Sequence, residues 1–192
     1  MSTLIIFMKY PLEGNVKTRL AESIGEESLE FYKKCIHTLV QEHQNAPYNV
    51  VYAVDNEKKE WSEYIDVDQS IEQIGETLSE KLTSVFIDVT EPTIVIGSDL
   101  PTITQEDIME AFEALKKSDC VIGPALDGGY YLIGLKKYYD IFSHIQWSTE
   151  KVFEQTMTQL LEQKAKISLL QTREDIDTVD EYNRFIQTYP DF

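Results

Sequence analysis

A three-layer α/β/α sandwich around a mostly parallel sheet is the fold class this sequence predicts, on three observations. Short apolar runs alternate with longer stretches of helical periodicity. The helical stretches between most of the runs are long enough to carry right-handed crossovers between parallel strands. No internal repeat, low-complexity tract or Pro/Gly/Ser-rich linker breaks the alternation, so one domain over residues 1–192 is expected.

Thr3 to Met8 is rich in Leu and Ile and reads as a buried first strand; Lys9 to Lys17, with Pro11 and Gly14, reads as a loop. Leu29, Tyr32, Ile36, Leu39 and Val40 recur at helical spacing between Glu26 and His43, and Tyr48 to Val54 is a second strand. Leu78, Leu82, Val85, Phe86 and Val89 trace a further helix, which Pro92 closes before the strand Thr93 to Gly97. Thr104, with Asp107 three residues on, predicts an N-cap for a helix whose apolar face is Ile108, Met109, Phe112 and Leu115. Strands at Val121 to Gly123 and Tyr130 to Leu135, a helix from Thr149 to Gln163, a strand at Ile167 to Leu170 and a helix from Asp177 to Tyr189 complete the pattern.

Composition narrows the partners. A formal net charge of −17 disfavours nucleic acid or an anionic membrane as a broad-surface partner. No apolar stretch approaches the length of a membrane span and the N-terminus lacks the features of a secretory signal, so a cytoplasmic location is expected. Cys35 and Cys120 form no C-x-x-C pair and read as reduced core residues, and His37, His43 and His144 share no zinc-ligand spacing. Against the acidic background the first twenty residues hold Lys9, Lys17 and Arg19 with only Glu13 opposing, a local inversion of sign that marks a candidate anion site.

In a parallel α/β sheet ligands bind beyond the carboxyl ends of the strands, so the segments that follow strands carry the chemistry. Residues 9–21, K-Y-P-L-E-G-N-V-K-T-R-L-A, form a loop feeding a helix, where Lys17 and Arg19 would add full charges to grip phosphate. Lys17-Thr18 matches the end of a Walker A motif, but its two glycines would fall at Pro11 and Val16, which excludes a P-loop. In residues 93–101, T-I-V-I-G-S-D-L-P, Asp99 stands at the sheet's carboxyl edge, where it either bridges Mg²⁺ or Mn²⁺ to a nucleotide's phosphates or caps a turn. In residues 123–135, G-P-A-L-D-G-G-Y-Y-L-I-G-L, Gly128 and Gly129 would let backbone lie against a ligand; Asp127 would orient acceptor hydroxyls, act as a base, or simply belong to a turn. Residues 175–182, D-I-D-T-V-D-E-Y, offer a second metal carboxylate, or an N-cap at Asp177 or Thr178 with Asp180 and Glu181 serving the cap.

Taken in order, these four segments resemble a family of bacterial GT-A-fold glycosyltransferases of the arsenosugar-biosynthesis type, related to nucleotide-diphospho-sugar transferases. The resemblance runs from F-M-K-Y-P at Phe7 through W-S-T at Trp147 to D-I-D-T-V-D. V-K-T-R-L-A and the terminal D-I-D-T also look like those of 2-phospholactate and molybdenum-cofactor guanylyltransferases. The resemblance implies a transferase using a nucleotide sugar or nucleoside triphosphate, a small-molecule acceptor, and Mg²⁺ or Mn²⁺. It implies phosphate contacts at Lys9, Lys17 and Arg19 beside Gly14 and Ser98, metal ligation at Asp99 and Asp177, and sugar or acceptor contacts at Asp127, Gly128 and Gly129, with Asp127, Lys17 and Arg19 as the catalytic set. Where such proteins read Q-x-G-x-D-L-G-x-R-M, residues 73–82 keep Gln73 and Gly75 as nucleotide contacts but replace the Asp, the second Gly and the Arg, leaving nucleotide specificity and activity open, with a non-catalytic nucleotide-binding domain as a further alternative.

Overall fold

The computed structural model describes residues 2–55 and 58–192. Seven strands form one sheet: β1 (Thr3–Met8), β2 (Asn49–Val54), β3 (Ser70–Glu72), β4 (Thr93–Gly97), β5 (Cys120–Pro124), β6 (Tyr130–Leu135) and β7 (Ile167–Leu169). Among the described residues six α-helices accompany them: α1 (Thr18–Ile24), α2 (Glu27–His43), α3 (Leu78–Phe86), α4 (Gln105–Lys117), α5 (Val152–Glu162) and α6 (Val179–Thr188).

Alternation along the strands builds the layers, because successive side chains leave opposite faces. On β1, Leu4, Ile6 and Met8 pack with Tyr32, Ile36 and Leu39 of α2 and Ile108, Phe112 and Leu115 of α4. The intervening Ile5 points the other way, into a core with Leu82 and Phe86 of α3 and Leu160 of α5. A smaller cluster of Leu20, Phe31, Cys35, Ile176 and Phe185 binds α1, α2 and α6 together. The buried cysteines are both free.

The sheet order is β3-β2-β1-β4-β6-β5-β7. β1, β2, β3 and β4 run parallel, as does the β5–β7 pair, whereas β6 is antiparallel to both β4 and β5. The expected parallel rule fails for β6 for a local reason: the turn from β5 is far too short to hold a crossover, so the chain can only fold back. The sheet grows outward from β1 through β2 and β3, then resumes on the opposite side of β1 with β4. That reversal opens a crevice between the carboxyl ends of β1 and β4.

The starts of α3, α4 and α6 carry reciprocal capping boxes. Thr104 accepts from the Asp107 amide while Asp107 accepts from the Thr104 amide at 2.8 Å. Thr77 and Glu80 make the same reciprocal box at α3. Glu181 receives the amides of Asp177 and Thr178, each at 2.7 Å, so it serves the cap of α6.

Candidate functional site

A cavity of about 670 Å³ opens at the crevice between β1 and β4. Lys9, Lys17, Arg19, Gln73, Ser98, Asp99 and Asp177 all line it, with Tyr32, Lys81, Tyr130, Tyr131 and Trp147. The basic loop and the expected metal carboxylates thus share one rim of the sheet.

Lys17 is the centre of the arrangement. Its backbone adopts a left-handed conformation (φ 48°, ψ 39°) immediately before α1, which is uncommon for a residue bearing a Cβ and which turns its side chain inward. The ammonium donates to the Ile176 carbonyl at 2.7 Å and lies 2.8 Å from Asp99 Oδ1 and 3.2 Å from Asp177 Oδ1. Only 1% of the Lys17 side chain is exposed, against 54% of Asp99 and 46% of Asp177, so the lysine is sunk behind two carboxylates that face the cavity. Burial alone would lower its pKa, but Asp99 and then Asp177 outweigh that and hold the group above its ordinary value. Its three protons are committed within the protein, a different arrangement from the open phosphate clamp expected of it. Arg19 and Lys9 line the same cavity with no ion-pair partner among the described residues.

The loop is held by a residue outside the expected set. The Tyr32 hydroxyl accepts from the Lys9 amide at 3.1 Å, contacts the Lys9 carbonyl at 3.1 Å and meets Ser98 Oγ at 2.7 Å. One phenol thereby ties the carboxyl end of β1 to that of β4. Tyr32 belongs to the apolar face of α2, and a Tyr where Phe would pack equally well is the only sequence signal of that polar role.

Asp175 is the second such residue. Burial first, then the neighbouring charges of Asp127, Asp99 and Asp177, push its pKa up to about 7. Three aspartate charges thus bear on Asp175, opposed by the nearby Lys17 ammonium. Asp99 and Asp177 bracket one cation already, which fits them to a hard divalent ion; Mg²⁺ commonly takes one or two protein carboxylates and completes its shell with phosphate and water. Among the described residues no group of three or more His, Cys, Asp or Glu side chains is gathered at metal-ligating distance.

Gln73 donates both N–H groups of its amide, to the carbonyls of Met8 and Ala53, each at 2.9 Å. The side chain thus laces β1 to β2 through its nitrogen alone, with neither of these bonds using Oε1. Lys81 stands where the resembled pattern carries Arg, so a positive charge survives on the cavity wall.

Gly14, Gly75, Asp127, Gly128 and Gly129, expected at the ligand, are not part of that wall. A Cβ on Gly75 would lie 2.4 Å from Glu80 Cβ, and one on Gly128 would lie 2.2 Å from the Glu150 carbonyl oxygen. At both positions the absence of a Cβ makes room for another part of the chain itself. Asp127 accepts the Gly129 amide at 2.8 Å, closing the turn between β5 and β6.

Strand order, the switch point and the cavity define a nucleotide-diphospho-sugar transferase-like fold. A proposed nucleotide-diphospho-sugar transferase from Desulfovibrio desulfuricans G20 superposes with a TM-score of 0.90 at 27% identity, over 99% of this chain and 88% of that one. A CMP:2-keto-3-deoxy-manno-octonic acid synthetase solved with CTP shares the fold at a TM-score of 0.59 and 11% identity, over 98% of each chain. So does Rv0371c from Mycobacterium tuberculosis H37Rv, solved with manganese, at a TM-score of 0.54 and 11% identity over 97% of each chain. No curated protein matches by sequence. The chain belongs to the family described as "Uncharacterized protein conserved in bacteria (DUF2064)", whose model matches residues 36–149.

Proposed function

We propose that this protein is a cation-dependent transferase acting on a nucleotide-activated donor, with a nucleotide diphosphate sugar as the favoured donor and a small molecule as acceptor. The observation that carries the reading is the convergence of Asp99 and Asp177 on one cationic point beside Arg19 and Lys9, at the strand ends where a polyphosphate would rest. Asp99 and Asp177 would hold the Mg²⁺ or Mn²⁺, which when bound supplies charge neutralisation to the diphosphate. Arg19 and Lys9 neutralise the remaining phosphate oxygens, and Gln73 Oε1 accepts an N–H from the donor's base or an O–H from its ribose. Tyr32 fixes the Lys9 backbone and Ser98, so the phosphate-facing rim is preorganised before ligand arrives. The finer assignment, to glycosyltransferases of the arsenosugar-biosynthesis type, rests on the sequence resemblance.

Nucleotidyl transfer is the second reading, supported by the fold shared with a synthetase that binds CTP. The same phosphate-facing cations would then neutralise departing pyrophosphate.

A thermal-shift screen of nucleotide sugars and nucleoside triphosphates with Mn²⁺ tests both. A true ligand at one hundred times its dissociation constant stabilises by about 2.7 kcal/mol. Asp99→Ala should remove that cation-dependent shift while keeping the fold. Release of nucleoside diphosphate from the ligand found supports glycosyl transfer; release of pyrophosphate supports nucleotidyl transfer. Failure of every nucleotide to shift the protein overturns the proposal.

A further inference from the structure

We infer that the Lys17 ammonium is a built-in substitute for the divalent cation, so that metal enters only when Lys17 leaves and a polyphosphate receives it. The inference rests on the transferase reading above and concerns how that site is loaded.

The geometry sets up a competition for one place. Lys17 Nζ lies 2.8 Å from Asp99 Oδ1 and 3.2 Å from Asp177 Oδ1, and is held from behind by the Ile176 carbonyl at 2.7 Å. A divalent ion held by Asp99 and Asp177 would take the place the ammonium now fills, or stand against it at close range, because both carboxylates already reach that point. Two like charges at that separation repel strongly, and the more so because the lysine side is shut off from water. Both cations therefore do not occupy the bridge together.

The lysine has somewhere to go. Its four-carbon stem is flexible, and its Cα belongs to the loop that lines the cavity where the polyphosphate would lie. A polyphosphate offers the displaced ammonium new oxygen partners and offers the metal the remaining members of its shell. Without that anion, departure of Lys17 would strand a charge in the cavity and leave the Ile176 carbonyl without its donor. The two exposed carboxylates are consequently masked in the empty protein, and metal and polyphosphate load as a unit.

The test is binding of Mn²⁺ alone to the nucleotide-free protein, read by electron paramagnetic resonance of the free ion. Wild type should bind weakly, and inorganic tripolyphosphate should tighten it. Lys17→Met should bind Mn²⁺ about tenfold more tightly than wild type without any anion, and the added substitution Asp99→Asn should abolish the gain. Arg19→Gln, which removes a charge from the same wall but not from the bridge, should not reproduce it. Lys17→Gln, which can still donate to Ile176, gives the same readout if Lys17→Met folds poorly by circular dichroism.

If wild type and Lys17→Met bind Mn²⁺ equally and Asp99→Asn abolishes both, the metal site stands and the masking by Lys17 is overturned. If no variant binds Mn²⁺ with or without tripolyphosphate, the cation-dependent reading falls with it. A gain in Arg19→Gln equal to that in Lys17→Met also overturns the inference, since it would reflect bulk electrostatics alone.

Discussion

Replacing Gly128 by Ala should destabilise the protein by about 3 kcal/mol, and the figure can be built from two separate causes. Gly128 has φ +88°, on the side of conformational space that an L side chain enters at a cost of about 1–2 kcal/mol. The added Cβ would also meet the Glu150 carbonyl oxygen at 2.2 Å, a backbone atom that cannot rotate away, and overpacking of this kind costs about 1–3 kcal/mol. Relief requires the 147–151 segment to retreat, which strains the bond from the Phe153 amide to the Gly128 carbonyl at 2.8 Å. Gly14 supplies the control, because its φ is +79° yet nothing lies within 4 Å of its Cβ position. Gly14→Ala therefore isolates the backbone cost, about 1 kcal/mol. Urea unfolding monitored by tryptophan fluorescence measures both; at a slope of about 2 kcal/mol per molar, the midpoint should fall by about 1.5 M for Gly128→Ala and about 0.5 M for Gly14→Ala. Equal losses for the two variants would refute the idea that Gly128 is dictated by the approach of Glu150.

Other outcomes follow from single contacts. His43 is fully buried, with Nδ1 2.8 Å from the Tyr48 hydroxyl, and burial lowers its pKa below 6.5. A depressed folded-state pKa means that the stability tied to neutral His43 is present above pH 6.5 and lost as the pH falls further; unfolding free energy should decline on that side, and His43→Gln should flatten the decline. Tyr32→Phe keeps the packing but removes the link between Lys9 and Ser98; denaturation should show a loss of about 1–2 kcal/mol, accompanied by weaker nucleotide binding. Thr104→Ala deletes half of the α4 capping box and should lower stability by about 1 kcal/mol without changing ligand affinity in the thermal-shift assay.

The parts of the molecule that were readable from sequence are those where local chemistry and global fold agree. β1 announces itself by its apolar run, α4 by Thr104 and Asp107, and α6 by Glu181, because each signal acts within a few residues. The gathering of Lys17, Asp99 and Asp177 was legible for a topological reason: segments that follow parallel strands must meet at the same edge. β3 was not legible. Three residues with exposed Ile71 carry too little pattern, and the strand exists because β2 offers it an unpaired edge. The inward turn of Lys17 depends on a left-handed backbone that a lysine does not advertise. Asp175 looks like any other acidic residue until its burial and its three aspartate neighbours are known. The glycines of residues 128–129 read as room for a ligand, but what approaches Gly128 comes from the distant Glu150, and no local rule reveals a partner so remote in sequence.

The reversed direction of β6 has a consequence for how the binding edge is furnished. Ile96 of β4 faces Leu132 of β6, so the start of β6, not its end, stands beside Ser98 and Asp99. Tyr130 and Tyr131 are accordingly delivered to the cavity by residues that enter a strand, whereas Lys9 and Asp99 are delivered by residues that leave one. A hairpin has been spliced into an otherwise one-way sheet, and its first residues give the cavity an aromatic shoulder beside the strand ends that carry Lys9 and Asp99.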